Sequence, residues 1–161
     1  MNKTVGKLQF TTPSDREIAM TREFQAPRAL VFDAFTQPEL VSRWLLGPDG
    51  WTMPVCKVAK QVGDSYRYEW EANDKSQRFG FEGELLESAA PYRAVTSERM
   101  IGMEGPGTRN ELTLVAVKGG TLISLLITYP TKELRDMILG TGMTTGMETS
   151  YARLERELAA A

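Results

Sequence analysis

Met143-Thr144-Thr145-Gly146-Met147-Glu148-Thr149-Ser150-Tyr151-Ala152-Arg153-Leu154-Glu155-Arg156-Glu157-Leu158 is the stretch whose reading decides the fold. Met143, Met147, Tyr151, Leu154 and Leu158 recur at intervals of four, four, three and four residues. That spacing is the stripe of an amphipathic helix with one buried face. Glu148, Arg153, Glu155, Arg156 and Glu157 fall on the opposite face, which is expected to meet water. The segment begins further back, at Thr131, a helix cap with Glu133 in the first turn. Gly140 and Gly142, with Thr141 between them, make its weakest helical point. Glycine costs roughly 1 kcal/mol against alanine in a helix interior. A break is expected there, separating a short leading helix with Leu134 and Met137 from the long one. Such a piece could serve as a lid. The competing expectation is that the glycines only let the helix approach the sheet closely.

Upstream, most of the chain alternates apolar and polar as half-buried strands do. Residues 1–15 are polar and turn-like, and read as an arm with a short strand around Leu8 to Phe10. Ile18, Met20 and Phe24 mark the first full strand. Ala26-Pro27 ends it, with Pro27 suited to a first helical position. Leu30, Val31, Ala34 and Phe35 then give one short helix, and Leu40, Val41, Trp44 and Leu45 a second. Thr36-Gln37-Pro38-Glu39 between them reads as a capping box. Six strand-like runs follow: Trp51 to Val58, Ser65 to Glu71, Arg78 to Glu87, Tyr92 to Met100, Arg109 to Val117 and Thr121 to Tyr129. Pro54 marks the first of these as an edge or bulged strand. Lys118-Gly119-Gly120 joins the last two as a hairpin. The simplest arrangement is a curved sheet closing its concave face on the C-terminal helix.

Composition narrows the function. With 161 residues and a net charge of -2, the chain suits one domain, and its basic residues are scattered. The electrostatic footprint of a nucleic-acid binder is therefore missing. No run reaches the roughly 20 apolar residues of a membrane helix. The N-terminus lacks a basic region followed by an apolar run, so no signal peptide is expected. One cysteine, Cys56, permits no internal disulfide and fits a reducing compartment. A cytoplasmic protein is expected. Histidine is absent altogether, which removes the commonest general base and the commonest metal ligand. No metal, cofactor or catalytic residue is assigned.

Several motifs resemble one family. They are Phe24-Gln25-Ala26-Pro27-Arg28-Ala29-Leu30-Val31-Phe32-Asp33-Ala34-Phe35-Thr36, then Pro38-Glu39 and Arg43-Trp44. Val62-Gly63-Asp64-Ser65-Tyr66-Arg67, Phe81-Glu82-Gly83-Glu84 with Glu87, Gly119-Gly120-Thr121, Gly142-Met143 and Gly146-Met147 support them. The chain resembles the branch of the START-like helix-grip superfamily (SRPBCC) named after the activator of heat-shock protein 90 ATPase, over roughly Arg16 to Leu158. It departs from the family pattern at Ala59 and Lys60, at Gly63-Asp64 and at Ala90-Pro91. The resemblance implies an α+β helix-grip fold: a curved seven-stranded antiparallel sheet wrapped around a long C-terminal helix, with two short helices between the first two strands. It implies an N-terminal arm over residues 1–15 and a single START-like domain over residues 16–161. It also implies an internal cavity between sheet and helix.

Three functions follow as expectations: a carrier or sensor of an apolar small molecule, which is favoured; a chaperone-associated accessory protein; and a polyketide cyclase or hydrolase working without histidine. A monomer or homodimer would serve any of them. The residues expected to bind ligand are Trp44, Tyr66, Tyr68, Trp70, Phe79, Phe81, Arg99, Met143, Met147 and Tyr151. Aromatic side chains supply apolar area and methionines adapt to varied shapes. The bland reading of the aromatic set is ordinary core. Arg67, Glu84, Glu98 and Arg99 are the candidate polar anchors, and Arg99, beside Met100 and Ile101, is the one expected to point inward. Cys56 reads as a small buried hydrophobe rather than a nucleophile.

Overall fold

The computed structural model describes residues 2–160. Met1 and Ala161, the ends of the two expected segments, lie outside the described residues. The chain opens with β1 (Lys3–Val5), β2 (Leu8–Thr11) and β3 (Glu17–Phe24), followed by α1 (Arg28–Thr36) and α2 (Pro38–Trp44). Next come β4 (Trp51–Lys57), β5 (Ser65–Ala72), β6 (Arg78–Ala89), β7 (Arg93–Met100), β8 (Thr108–Val117) and β9 (Gly120–Thr128). Two helices finish it, α3 (Lys132–Gly140) and α4 (Met143–Ala160). The strands form one antiparallel sheet in the order β1-β2-β3-β9-β8-β7-β6-β5-β4. The two short helices carry the chain from β3 to the far edge. Hairpins then bring it back until β9 closes against β3.

The sheet has nine strands, not seven. The expected arm is a hairpin that extends the sheet: Phe10 pairs with Met20, and Leu8 is fully buried. Its register with β3 puts Leu8 in the core beside Ile18, Met20 and Phe24, which is why the segment is held. Burying one such side chain contributes roughly 1.5–3 kcal/mol.

The caps and breaks follow local chemistry. Thr131 accepts a hydrogen bond from the Leu134 N–H at 3.1 Å, as expected of a cap. The helix does break between Gly140 and Met143, where Gly142 takes φ +83°. A side chain there would be strained. A Cβ on Gly140 or Gly142 would meet nothing within 4 Å, so close packing is not what these glycines serve. The capping box does not form. Gln37, extended at φ -104° and ψ 122°, is the cap of α2, and the Thr36 hydroxyl donates back to Phe32 O at 2.8 Å. Pro38 disfavours helical geometry in the residue before it, which moves the boundary to Gln37. Pro27 likewise caps α1 from outside rather than starting it. β4 is both an edge strand and bulged between Thr52 and Val55 around Pro54.

The stripe of α4 packs as expected, with Tyr151 and Leu154 fully buried and Met143, Met147 and Leu158 against the same core. Its charged face differs from the expectation. Only Arg156 and Glu157 are exposed. Arg22 of β3 reaches Glu148 and Glu155, and Lys7 in the first hairpin also bonds Glu155. Arg153 donates to the carbonyls of Trp44 and Gly47, both at 3.1 Å. The hairpin and the α2–β4 link cover that face, so its charges find partners in the protein instead of water.

Candidate functional site

Alternation along β5 sends Tyr66, Tyr68 and Trp70 to one face and Arg67, Glu69 and Glu71 to the other. Antiparallel register then sets Tyr66 opposite Gly83, Tyr68 opposite Phe81 and Trp70 opposite Phe79. Directly paired residues share a face, so five aromatics form one ladder on the concave side. Ring centroids lie 5.3 Å apart for Tyr66–Tyr68, 6.0 Å for Tyr68–Trp70 and 5.3 Å for the stacked Trp70–Phe79 pair. Phe81 meets Trp70 edge-on at 5.9 Å. Trp70 Nε1 donates to Leu45 O at 2.7 Å, which ties the ladder to the end of α2. Tyr66 and Trp70 are buried, Tyr68 and Phe81 half-buried, and Phe79 is exposed.

The polar end of the ladder is Glu98. It pairs with Gly83, and Gly83 pairs with Tyr66. Lacking a side chain, Gly83 lets the Tyr66 ring lie across it and donate its hydroxyl to Glu98 Oε2 at 2.7 Å. A Cβ on Gly83 would come within 2.7 Å of the Tyr66 ring and would also collide with Ser97 O. On the other flank, Thr108 Oγ1 donates to Asn110 Oδ1 at 2.8 Å. With its Oδ1 held by Thr108, Asn110 is left with its amide N–H groups to offer toward Glu98, whose carboxyl it pulls down.

Arg99 was expected inside and lies outside. It pairs with Glu82 on the convex face, with Arg99 Nε 3.4 Å from Glu82 Oε1, and its side chain is half-exposed. Strand parity decides this: once Tyr66, Gly83 and Glu98 share the concave row, the next residue must face out. Arg67 is also on the convex face with Glu69 and Glu82, and Glu84 is exposed. Trp44 and Tyr151 do come together, stacked at 5.8 Å. They are 2% and 1% exposed, so they form the packed joint between α2 and α4 and offer no free surface to a ligand. Met143 and Met147 stand half-buried beside that joint. Asn110 and Tyr129 complete the polar end and escaped the sequence reading. Their one signal is a register that the sequence does not display.

Burial sets the protonation of these groups. It raises the Glu98 carboxyl, outweighing the downward pull of its bonds to Tyr66 and Asn110. It raises the Tyr66 and Tyr68 phenols, with nearby Glu98 adding to both. Tyr129 is pushed up to about 12 by burial and then by Glu98. The Cys56 thiol rises to about 11 through burial and then Glu39, so it stays an unreactive thiol at neutral pH. The site thus offers aromatic faces, neutral phenols and one titratable acid.

A stability consequence follows from Glu98. Unfolded, it ionises near 4.5; folded, it ionises higher. Its contribution is present in full below the unfolded value and is lost as pH rises through the folded one. The wild-type chain should therefore lose stability as pH rises above the unfolded value, relative to Glu98→Gln. Chemical denaturation of both proteins across a pH series from acid to neutral checks this, and parallel pH dependences would refute it.

Two open depressions lie beside the ladder without being lined by it. One of about 650 Å³ runs between Pro38, Cys56, Lys60 and Asp64, and one of about 460 Å³ abuts the polar end at Thr108 and Tyr129. Among the described residues no group of three or more His, Cys, Asp or Glu could hold a metal ion. Among them, too, no helix is long and apolar enough to cross a membrane.

Residues 25–159 match the family model described as "Activator of Hsp90 ATPase homolog 1-like protein". Solved structures agree on the fold. A protein from Rhodobacter sphaeroides is 29% identical with a TM-score of 0.87, over 95% of this chain and 98% of that one. One from Staphylococcus epidermidis is 28% identical with a TM-score of 0.78, over 91% and 92% of the two chains. An AHSA1-like protein from Aeromonas hydrophila is 19% identical with a TM-score of 0.72, over 88% and 93%. No curated protein matches the chain.

Proposed function

Since the chain belongs to the Activator of Hsp90 ATPase homolog 1-like family, whose fold is compatible with ligand binding, we propose that it binds an apolar small molecule on the concave face of its sheet, as a carrier or sensor. The observation that carries this reading is the ladder from Tyr66 to Phe81: five aromatics in register, incompletely covered, ending on a polar cluster. Ligand sites combine largely apolar walls with a few placed polar groups. On α4, Met143 and Met147 are half-buried against the core and Gly146 leaves open space beside them, so this helix is the wall we assign opposite the ladder.

Organic extraction of the purified protein followed by mass spectrometry should release a stoichiometric apolar compound. An apolar fluorescent probe provides the complementary measurement. A Cβ on Gly146 meets nothing within 4 Å, so Gly146→Leu is accommodated beside Met143 and Met147. Probe affinity should fall at least about tenfold, roughly 1.4 kcal/mol, in Gly146→Leu and in Phe81→Ala. Unchanged probe binding in both folded variants would sink the proposal.

A further inference from the structure

Glu98 differs from the acidic residues around it because no cation meets it. Among the described residues the side-chain hydrogen bond it receives comes from the neutral Tyr66 hydroxyl, at 2.7 Å, with neutral Asn110 also near. Most cations on neighbouring elements are engaged elsewhere; Arg16 lines the depression at Thr108 and Tyr129 without an ion pair among the described residues. Arg67 and Arg99 lie on the convex face with Glu82. Arg109 bonds Glu87 and Glu111 there. Arg22 is held by Glu148 and Glu155, and Arg135 by Asp136 and the carbonyls of Ser14 and Glu17.

The surroundings have the same sign as the carboxylate. Tyr68 and Phe81 form the row beside Tyr66, Gly83 and Glu98. Aromatic rings present negative faces, which attract a cation lying over them by roughly 0.5–2 kcal/mol. Carboxylate oxygens with donors already arranged around them, next to such faces, complement an ammonium group. A bound ammonium would offset, by its opposite charge, the cost that burial puts on ionising this carboxyl.

We propose that the ligand is an apolar molecule bearing a protonated amine, with its ammonium on Glu98 and its apolar body along Tyr68, Phe81 and Trp70. This rests on the ligand-binding reading above and goes further by naming the head group. A neutral alcohol would use the same apolar wall and forgo the ion pair.

Octylamine and 1-octanol separate these cases, because they share a chain and differ in charge. Calorimetric titration at about pH 8 should show wild type preferring octylamine at least about tenfold, roughly 1.4 kcal/mol. Glu98→Gln keeps a hydrogen-bond acceptor for Tyr66. It should abolish the preference and leave octanol affinity within about twofold. A second readout needs no variant. The phenols facing Glu98 (Tyr66, Tyr68 and Tyr129) stay neutral near pH 7, so the carboxyl is the group that titrates. Octylamine affinity of wild type should fall as pH drops through that titration, while octanol affinity stays level. Equal affinity for the two probes, or an amine preference that survives both Glu98→Gln and acid, overturns the head-group assignment and leaves the apolar site standing. If neither probe binds wild type, the head-group assignment and the site fall together.

Discussion

Replacing Arg22 by alanine is expected to destabilise the fold by about 3–5 kcal/mol, the range for removing one partner of a buried ion pair. The Arg22 side chain is 1% exposed and comes from β3, inside the core. Its Nε and Nη2 donate to Glu148 at 2.9 and 3.2 Å, and its Nη1 donates to Glu155 Oε1 at 3.0 Å and to Glu23 O at 3.0 Å. The guanidinium also lies 4.9 Å from the centre of the Phe24 ring. Removing it leaves Glu148, 12% exposed, as a buried charge; Glu155 is a third exposed and keeps Lys7. The loss therefore falls mostly on Glu148, and the more exposed Glu155 pair adds little. Urea denaturation of Arg22→Ala, Glu148→Ala and the double variant measures the coupling. Arg22→Met combined with Glu148→Leu should recover most of the loss, because an apolar pair leaves no charge stranded. A loss below about 1 kcal/mol in Arg22→Ala would contradict the burial assigned to this pair.

Adding one methyl group should have opposite effects at two glycines. Gly83→Ala is expected to cost about 3 kcal/mol, the upper end of the overpacking range. Its Cβ would collide with Ser97 O, which is backbone, and would stand 2.7 Å from the Tyr66 ring. Relief requires β6 and β7 to separate and Tyr66 to leave Glu98. Gly146→Ala, inside α4, should instead stabilise by up to roughly 1 kcal/mol, since alanine is the better helix former and nothing stands in its way. Thermal unfolding of both variants tests the pair. If Gly83→Ala unfolds with wild-type stability, the close approach of β7 to β6 at that point is wrong, and with it the route by which Tyr66 reaches Glu98.

Much of this protein was legible from local pattern. The four-four-three-four stripe foretold a helix with Tyr151 and Leu154 buried, and Gly140 and Gly142 foretold its break. Alternation in Tyr66 to Trp70 foretold the ladder on one face. Helix and strand periods are properties of a few consecutive residues, so they show in the chain itself. The first hairpin was only half visible. Leu8 and Phe10 suggested a strand, but a short strand is held by its neighbour, and the neighbour was Met20, ten residues on from Phe10.

Side-chain direction is where sequence stops. Alternation along β7 separates Glu98 from Arg99 without saying which goes in. The register decided it, by placing Glu98 across Gly83 from Tyr66 and Arg99 across from Glu82. The charged face of α4 had the same ambiguity. Amphipathicity said that Glu148 and Glu155 avoid the apolar core, and it could not say that Arg22 and Lys7 would arrive from β3 and the first hairpin to meet them. By itself the sequence determined which residues share a face of each element, because backbone geometry imposes that period. Which face becomes the cleft, and which charges meet across it, was decided by tertiary structure, because pairing partners and burial are set by residues far apart in the chain.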